Sequence, residues 1–221
     1  MKNSTLLPRR RLLAGMAAAA ALFGFGARAR AEAAAKPAPL SAQDQADVKR
    51  VQDYLNGIHT LQSRFQQSAG DGGVASGTIY LQRPGKMRIV YDDPTPILIV
   101  ADGSDIYYWD KQLQQLQNAG VDDTPAWFLL RPEIKLTGDV TVTAFRRDPG
   151  VLRIAMSETK HPDQGNLTVV MSDRPLELRQ WTVVDPQRKQ VTVTLENPRY
   201  GVALEPTLFY WVHQDTGPRF R

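Results

Sequence analysis

The sequence predicts a mainly β protein built on one antiparallel, strongly curved open sheet. Short runs rich in β-branched and aromatic residues recur from Leu61 onward, and clusters of Pro, Gly or Asp separate them. There is no internal repeat and no alternation of strands with helices, so an antiparallel sheet that curls is favoured over a parallel one. About eleven or twelve strands are predicted, within Leu61–Ser68, Thr78–Arg83, Met87–Tyr91, Ile97–Ala101, Ile106–Asp110, Leu113–Gln117, Val140–Arg146, Val151–Ser157, Leu167–Met171, Leu176–Val184, Val191–Leu195 and Leu208–Val212.

Residues 1–31 are predicted to be a cleaved signal peptide. Arg9-Arg10-Arg11 precede an apolar run from Leu12 to Phe25, and Ala29-Arg30-Ala31 satisfies the small-x-small rule for cleavage. The run is short for a membrane span, and a retained anchor is the alternative. The paired arginines leave export by the general route or by the twin-arginine route open.

Removal of this segment reverses the sign of the net charge. The full chain has 27 basic and 23 acidic residues, and six of the basic residues lie in residues 1–31. The mature chain therefore has 21 basic and 23 acidic residues, a net charge of −2, and gives no indication of nucleic-acid binding. We expect residues 32–40 to be a flexible lead-in, and residues 41–221 to form a single domain with a full core.

Several kinds of chemistry have no support in the sequence. The chain has no cysteine, which excludes disulfides, thiol catalysis, Cys-ligated metals and the lipid-modified cysteine of an outer-membrane receptor lipoprotein. His59, His161 and His213 are isolated and lack metal-ligand spacing. Asp102 and Asp105 flank a glycine turn and fall short of a calcium loop. We therefore predict no enzymatic activity, no metal site and no cofactor.

An amphipathic helix is predicted before the first strand. Ser41 is a candidate N-cap, and Asp44 follows three residues later in the order of a capping box. Apolar residues then recur at helical spacing until Asn56-Gly57 ends the helix. Packing against the sheet is the expected role of this helix, and binding of a partner is the alternative. The apolar stripe consists of Val48, Val51, Leu55 and Ile58.

A short second helix is predicted in the break between the sixth and seventh strands. Thr124 is a candidate cap, Pro125 occupies the first helical position and Pro132 stops the helix. The run Trp127-Phe128-Leu129-Leu130 between them is apolar nearly all round and must be buried on more than one side. The helix is either a fixed plug at one end of the sheet or a lid over a cavity.

The stretch from Ile79 to Asp110 resembles a known family. The string Arg83-Pro84-x-x-Met87-x-Ile89 resembles the Arg-Pro motif of the LolA family, the periplasmic carriers that take lipoproteins to the outer membrane. That family usually has aromatic residues where Met87 and Ile89 stand here. Ala101-Asp102-Gly103, followed by Ile106-Tyr107-Tyr108-Trp109-Asp110, resembles the DG…LW-Y-D hairpin of the same family.

The resemblance implies an open half-barrel whose short helix is a lid over a concave apolar face. It implies a monomeric, soluble periplasmic carrier that sequesters the acyl chains of lipoproteins and transfers them from the inner membrane to the outer membrane. Its implied partners are acylated lipoproteins, an inner-membrane lipoprotein-releasing transporter and, if present, an outer-membrane acceptor lipoprotein. The alternative is a lipid- or lipoprotein-sensing regulator of an envelope-stress response, built on the same half-barrel.

Arg83 is the candidate latch of the lid. It shares the parity of Met87 and is therefore aimed at the apolar face, although a surface arginine beside a turn is the alternative. A guanidinium there needs acceptors, and the free carbonyls around Leu129 and Leu130 have the right sign. The resemblance implies that this arginine holds the lid shut when no cargo is present. The predicted acyl-chain cavity consists of Met87, Ile89, Tyr91, Trp109, Trp127, Leu129, Leu130, Trp181, Phe209 and Trp211.

Overall fold

The computed structural model describes residues 34–124 and 127–211. The predicted signal peptide, Pro125 and the end of the predicted strand Leu208–Val212 lie outside this part of the chain. Within it the chain forms two α-helices and eleven strands. In chain order these are α1 Ala42–Gly57, β1 Thr60–Ala69, β2 Val74–Gln82, β3 Lys86–Tyr91, β4 Ile97–Asp102, β5 Asp105–Asp110, β6 Gln115–Gly120, α2 Trp127–Leu130, β7 Val140–Asp148, β8 Val151–Glu158, β9 Asn166–Asp173, β10 Leu176–Val184 and β11 Gln190–Tyr200.

All eleven strands belong to one sheet, in the order β6-β5-β4-β3-β2-β1-β11-β10-β9-β8-β7. Every neighbouring pair is antiparallel. The strands form two meanders, β1 to β6 and β7 to β11, which join where β1 pairs with β11. The ends β6 and β7 do not pair with each other, so the curved sheet stays open. The predicted class, an antiparallel open half-barrel, is confirmed.

The first helix begins where the capping box predicts. The Asp44 backbone N–H donates to Ser41 Oγ at 3.2 Å, and the Ser41 N–H donates back to the Asp44 carboxylate at 3.1 Å. On the other side of the helix Val51 and Leu55 are fully buried in the main core of the sheet. The helix therefore packs on the sheet, as expected. We call the sheet face that α1 and α2 cover the inner face, and the opposite one the outer face.

The prediction of a last strand at Leu208–Val212 is wrong. Residues Pro206–Phe209 form a 3-10 helix, and no described residue after Tyr200 belongs to the sheet. Pro206 stands at the start of this helix, where its fixed backbone angle suits a helical turn. The apolar run that follows is too short for its period to distinguish a strand from a helical turn. The turn packs against β3 and β4 from the outer face.

Candidate functional site

Beneath α1 and α2 the inner face of the sheet is apolar and filled. On β3, Met87 and Tyr91 are buried and Ile89 packs beside them, and Trp181 of β10 belongs to the same core. A cavity of only about 20 Å³ remains among Met87, Trp181 and the helices, with Leu129 of α2 and Arg83 in its wall. That space holds little more than one water molecule. An acyl chain can therefore reach this part of the inner face only if α2 moves.

Arg83 lies at the centre of the contacts that hold α2 in place. Its Nη1 donates to the carbonyl of Leu55 at 2.6 Å, and its Nη2 donates to the carbonyl of Arg131 at 2.9 Å. Longer hydrogen bonds reach the carbonyls of Ile58 and Pro132 and the side chain of Asn56. One guanidinium therefore joins the C-terminal end of α1 to the chain that follows α2.

The charge of Arg83 is compensated by dipoles. No carboxylate in the described part of the chain forms an ion pair with it. Burial lowers the pKa of Arg83, because the apolar surroundings penalise the charged form. The carbonyls at the end of α1 supply partial negative charge instead. Such bonds orient the guanidinium strongly but can be exchanged for water when the site opens.

The acceptors of Arg83 differ from those predicted at Leu129 and Leu130. The Leu130 carbonyl instead accepts the backbone N–H of Gly85 at 2.8 Å. Gly85 has a positive φ of 79°, and a Cβ there would lie 2.8 Å from Cα of Gly103. Only glycine lets the β2–β3 turn come this close to its neighbours. Because the turn takes the Leu130 carbonyl, Arg83 reaches the next two residues along the chain.

Two further side chains of α1 fasten the chain after α2. We call residues 127–136 the closing segment. Asn56 donates its Nδ2–H to the Ile134 carbonyl at 2.9 Å and accepts the Ile134 N–H at its Oδ1 at 2.8 Å. One turn earlier, Gln52 Oε1 accepts the N–H of Leu136 at 2.9 Å. The closing segment therefore docks on α1 through backbone groups that polar side chains satisfy.

Sequence reasoning missed Asn56 and Gln52 as site residues. Asn56 was interpreted only as part of the Asn56-Gly57 pair that ends the helix, and Gln52 was not considered. Their spacing of four places them on one face of α1. That shared face, next to the apolar stripe, is the signal in the sequence that could have identified them.

Trp127 lies at the exposed border of the closing segment. Its ring is half-buried, and the guanidinium of Arg131 lies 4.6 Å from the ring centroid. The Phe128 ring packs edge-on against it, with the centroids 6.2 Å apart, and is itself buried. Trp127 is therefore placed to sense any movement of α2.

A cleft of about 610 Å³ opens beside Trp127 and Phe128. The first residue of β7 and the adjacent ends of β8, β9 and β10 also form its walls. Apolar side chains of these strands form its floor, and polar groups lie at its rim. The floor includes Met156, Leu167 and Val183. We call this space the cleft. It opens onto the inner face of the sheet.

The tyrosines of the inner face are neutral. Burial raises the pKa of Tyr91, whose hydroxyl donates to Gln67 Oε1 at 2.7 Å. Burial, together with the nearby carboxylate of Asp110, raises the pKa of Tyr108 to about 12. Both phenols stay protonated at any physiological pH, so they offer hydroxyl groups and no charge to a bound chain.

Three of the predicted cavity residues lie on the outer face instead. Trp109 alternates with the inward-facing Tyr108 and packs with Leu98 and Val100 in a separate small core. Trp211 stacks on Tyr107 with ring centroids 5.1 Å apart and meets Trp109 edge-on at 6.4 Å. The buried Phe209 belongs to the 3-10 helix that covers β3 and β4 from the same side.

The placement of Trp109, Phe209 and Trp211 in the acyl-chain cavity is therefore wrong. Strand β4 is buried on both faces, so its neighbours carry apolar residues on both faces as well. An apolar character then does not tell which face a side chain lies on. The other predicted residues do lie on the inner face or in the closing segment: Met87, Ile89, Tyr91, Trp127, Leu129, Leu130 and Trp181.

Two kinds of feature are absent from residues 34–124 and 127–211. No group of three or more His, Cys, Asp or Glu side chains is placed to hold a metal ion. No helix in this part of the chain is long and apolar enough to cross a membrane.

Comparison with known proteins gives consistent matches. Residues 56–211 match the family described as outer membrane lipoprotein carrier protein LolA. An outer-membrane lipoprotein carrier protein of Methylococcus capsulatus is 28% identical over 169 residues, which span 72% of this chain and 80% of that protein. Its counterpart in Legionella pneumophila is 36% identical over 107 residues, 45% of this chain and 53% of that protein.

The chain also aligns with a solved structure at low sequence identity. The LolA superfamily protein NE2245 from Nitrosomonas europaea superposes with a TM-score of 0.43 and 7% identity. The superposition covers 74% of this chain and 97% of that one.

Proposed function

The chain belongs to the LolA family, and from that premise we propose that it is a periplasmic carrier that sequesters the acyl chains of lipoproteins. Proteins of this family are carriers rather than enzymes. The carrier moves its cargo from the inner membrane, where a lipoprotein-releasing transporter supplies it, to an acceptor at the outer membrane. It works as a soluble monomer.

The observation that supports this function best is the fastening of the closing segment over an apolar sheet face. Each methylene exposed to water costs about 0.8 kcal/mol, so one long acyl chain costs on the order of 10 kcal/mol. A carrier must therefore enclose such chains. The inner face offers the apolar surface, and the closing segment packs on it through buried apolar side chains. Hydrogen bonds that can be broken and re-formed fasten the closing segment to Arg83 and α1.

The proposed cycle exchanges one set of contacts for another. In the empty carrier the closing segment fills the inner face, and Arg83 bonds to the carbonyls of Leu55 and Arg131. Entry of acyl chains displaces α2 and breaks these bonds. The bonds re-form when the cargo leaves, which lowers the free energy of the empty state. Arg83 thus keeps cargo binding weak enough for release.

A transfer experiment tests the proposal. The purified protein is incubated with inner-membrane vesicles that hold a radiolabelled lipoprotein, then separated and mixed with outer-membrane vesicles. We expect labelled lipoprotein in the soluble fraction and then in the outer-membrane vesicles. The control is the same lipoprotein with its acylated cysteine replaced.

The proposal fails if acylated and unacylated proteins associate with the carrier equally. It also fails if mass spectrometry of protein purified from the periplasm finds a regulatory protein fragment and no acylated protein. That second result would favour the envelope-stress regulator.

A further inference from the structure

We propose that the cleft receives the peptide that adjoins the acylated end of the cargo, and that it favours basic over acidic peptide there. The proposal rests on the proposed carrier function and adds the charge class of the cargo. It concerns the cleft of about 610 Å³ beside α2, and not the cavity of about 20 Å³ that remains beneath α1 and α2.

The position of the cleft follows from its shared wall. Trp127 and Phe128 belong both to the closing segment and to the cleft. Acyl chains that displace the closing segment therefore leave the inner face beside these two rings. The residues covalently joined to those chains then lie in the cleft. Its volume falls within the range of about 300 to 1,000 Å³ that is typical of ligand pockets.

The cleft is lined by carboxylates on opposite walls and by no lysine or arginine among the described residues. One pair precedes α2, and the other pair comes from the ends of β8 and β10. None of the four forms an ion pair within the described part of the chain. The four residues are Asp122, Asp123, Glu158 and Asp185.

This arrangement differs from that of many acidic residues elsewhere in the protein. Asp47 pairs with Arg147, and Asp173 pairs with Arg50, as side chains of α1 meet the far ends of the strands. Of the basic residues near the cleft in sequence, Lys160 is exposed, and Arg131 lies over the Trp127 ring and pairs with Asp139. Neither of them lines the cleft, so the charged side chains in its lining are all carboxylates.

Apolar and charged groups have separate roles in this site. Trp127, Phe128 and the strand residues at its floor bind acyl chains and peptide without regard to charge. The carboxylates add an attraction for a cation and a repulsion for an anion. Two unit charges about 4 Å apart alter an equilibrium by roughly fivefold even at the dielectric constant of water, so several carboxylates together discriminate by about tenfold or more.

The test uses three synthetic lipopeptides that have the same acyl chains and differ only in the four residues that follow. These residues include two lysines, two serines or two aspartates. Each lipopeptide displaces a fluorescent fatty acid from the purified protein at low ionic strength, and the displacement gives its Kd. We expect the lysine peptide to bind about tenfold more tightly than the aspartate peptide. Because about 1 M salt shortens the screening length to about 3 Å, the difference should disappear there.

The decisive variant is Asp122→Asn with Asp123→Asn and Glu158→Gln. Asp185 is left unchanged because it is buried and accepts the backbone N–H of Lys189 at 2.8 Å. In this triple variant the Kd values of the lysine peptide and the aspartate peptide should agree within about twofold. The matched control removes three exposed carboxylates that do not line the cleft, by Asp71→Asn, Asp93→Asn and Glu205→Gln.

The outcomes separate the two proposals. Equal binding of the three lipopeptides by the unmodified protein overturns the inference while leaving the carrier function intact. The inference is also overturned if the cleft variant keeps the preference for the lysine peptide. It is overturned as well if the control variant loses this preference to the same extent, because the net charge of the protein would then explain it. If none of the lipopeptides displaces the fatty acid, the carrier function itself fails.

Discussion

Two arginines, one directly after β2 and one on β3, show how the same chemistry has different consequences on the two faces of the sheet. Arg83 and Arg88 are both partly buried, and burial lowers the pKa of each. Both donate to backbone carbonyls, Arg83 to Leu55 and Arg131, and Arg88 to Leu208 at 3.1 Å. Arg83 fastens the closing segment on the inner face. Arg88 fastens the C-terminal turn on the outer face.

We expect Arg83→Leu to fold and accept lipoprotein but to release it poorly. The closed, empty state loses its guanidinium hydrogen bonds, and the inner face becomes more apolar. A hydrogen bond to a charged group contributes about 1.5–3 kcal/mol, which corresponds to about a tenfold to hundredfold gain in cargo affinity. The measurement is the rate at which radiolabelled lipoprotein moves from the carrier to outer-membrane vesicles.

Two further variants complete that experiment. Arg83→Lys should restore transfer only in part, since an ammonium lacks the planar fork that reaches both α1 and the closing segment. Arg88→Leu, a matched change on the outer face, should transfer at the normal rate. If Arg83→Leu also transfers at the normal rate, the latch is refuted.

Asn56 provides a second residue-scale prediction. Its amide exchanges two hydrogen bonds with the backbone of Ile134, so Asn56→Ala leaves a donor and an acceptor unsatisfied in the closed state. We expect the closing segment to lose about 1–3 kcal/mol of its docking free energy. Hydrogen exchange at the Ile134 amide should accelerate about tenfold or more. Gln52→Ala is the control, because it should accelerate the Leu136 amide instead. Unchanged exchange in Asn56→Ala would contradict the role of this contact.

At the scale of elements, the sequence predicted the helices and strands whose conformation is determined by local signals. The capping box of α1, the Pro and Gly turns and the β-branched runs each fix a short stretch of backbone, and eleven strands and α1 occur where expected. Pro206–Phe209 was missed because four residues of mixed propensity can form a strand or a 3-10 turn, and only the partner decides. The contacts of Asn56 with Ile134 were missed for a similar reason, since 78 residues separate the two.

The movement of α2 gives the element-scale prediction. An acylated ligand that displaces the closing segment should alter the intrinsic fluorescence of Trp127, and Trp127→Phe should remove most of that shift. Trp181 also lies at the inner cavity, so Trp181→Phe is the second variant to test. Trp109→Phe should keep the shift, because Trp109 lies on the outer face. A shift that survives intact in Trp127→Phe would make α2 a fixed plug.

At the scale of the whole molecule, the alternation of side chains along a strand predicts which residues share a face of the sheet. It does not predict which of the two faces is the inner one. Met87 and Ile89 shared parity with Arg83, and the structure places all three toward α1. For Trp109 and Trp211 no local feature decided between the faces, because both faces of β4 are covered. The two meanders join through the long-range pairing of β1 with β11, which no short stretch of sequence encodes.

The targeting of the whole chain is a separate prediction. If residues 1–31 are a cleaved signal, protein recovered from the periplasm should begin near Glu32. N-terminal sequencing of the soluble periplasmic fraction measures this directly. Recovery of a membrane-bound form that retains Met1 would favour the uncleaved anchor.

The last prediction concerns how α1 is held to the rest of the molecule as pH falls. Ion pairs join α1 to the ends of the strands: Arg147 pairs with Asp44 and the buried Asp47, and Arg50 pairs with Asp173. The hydrogen bond from Arg50 lowers the pKa of Asp173 below its ordinary value. A carboxylate whose folded pKa is depressed stabilises the protein above the unfolded pKa of about 3.9, and this contribution is lost as pH falls through the folded pKa.

We therefore expect the Tm of the protein to be steady near neutral pH and to fall as the pH is lowered below about 4. Asp173→Asn should lower the Tm at neutral pH and make its decline with acid shallower, because the variant has no proton to take up at this position. Asp71→Asn is the control, since Asp71 forms no ion pair within the described residues and is exposed at the β1–β2 turn. Thermal unfolding followed by circular dichroism between pH 7 and pH 3 gives all three curves. Parallel curves for the unmodified protein and Asp173→Asn would show that the Arg50–Asp173 pair does not help to hold α1 in place.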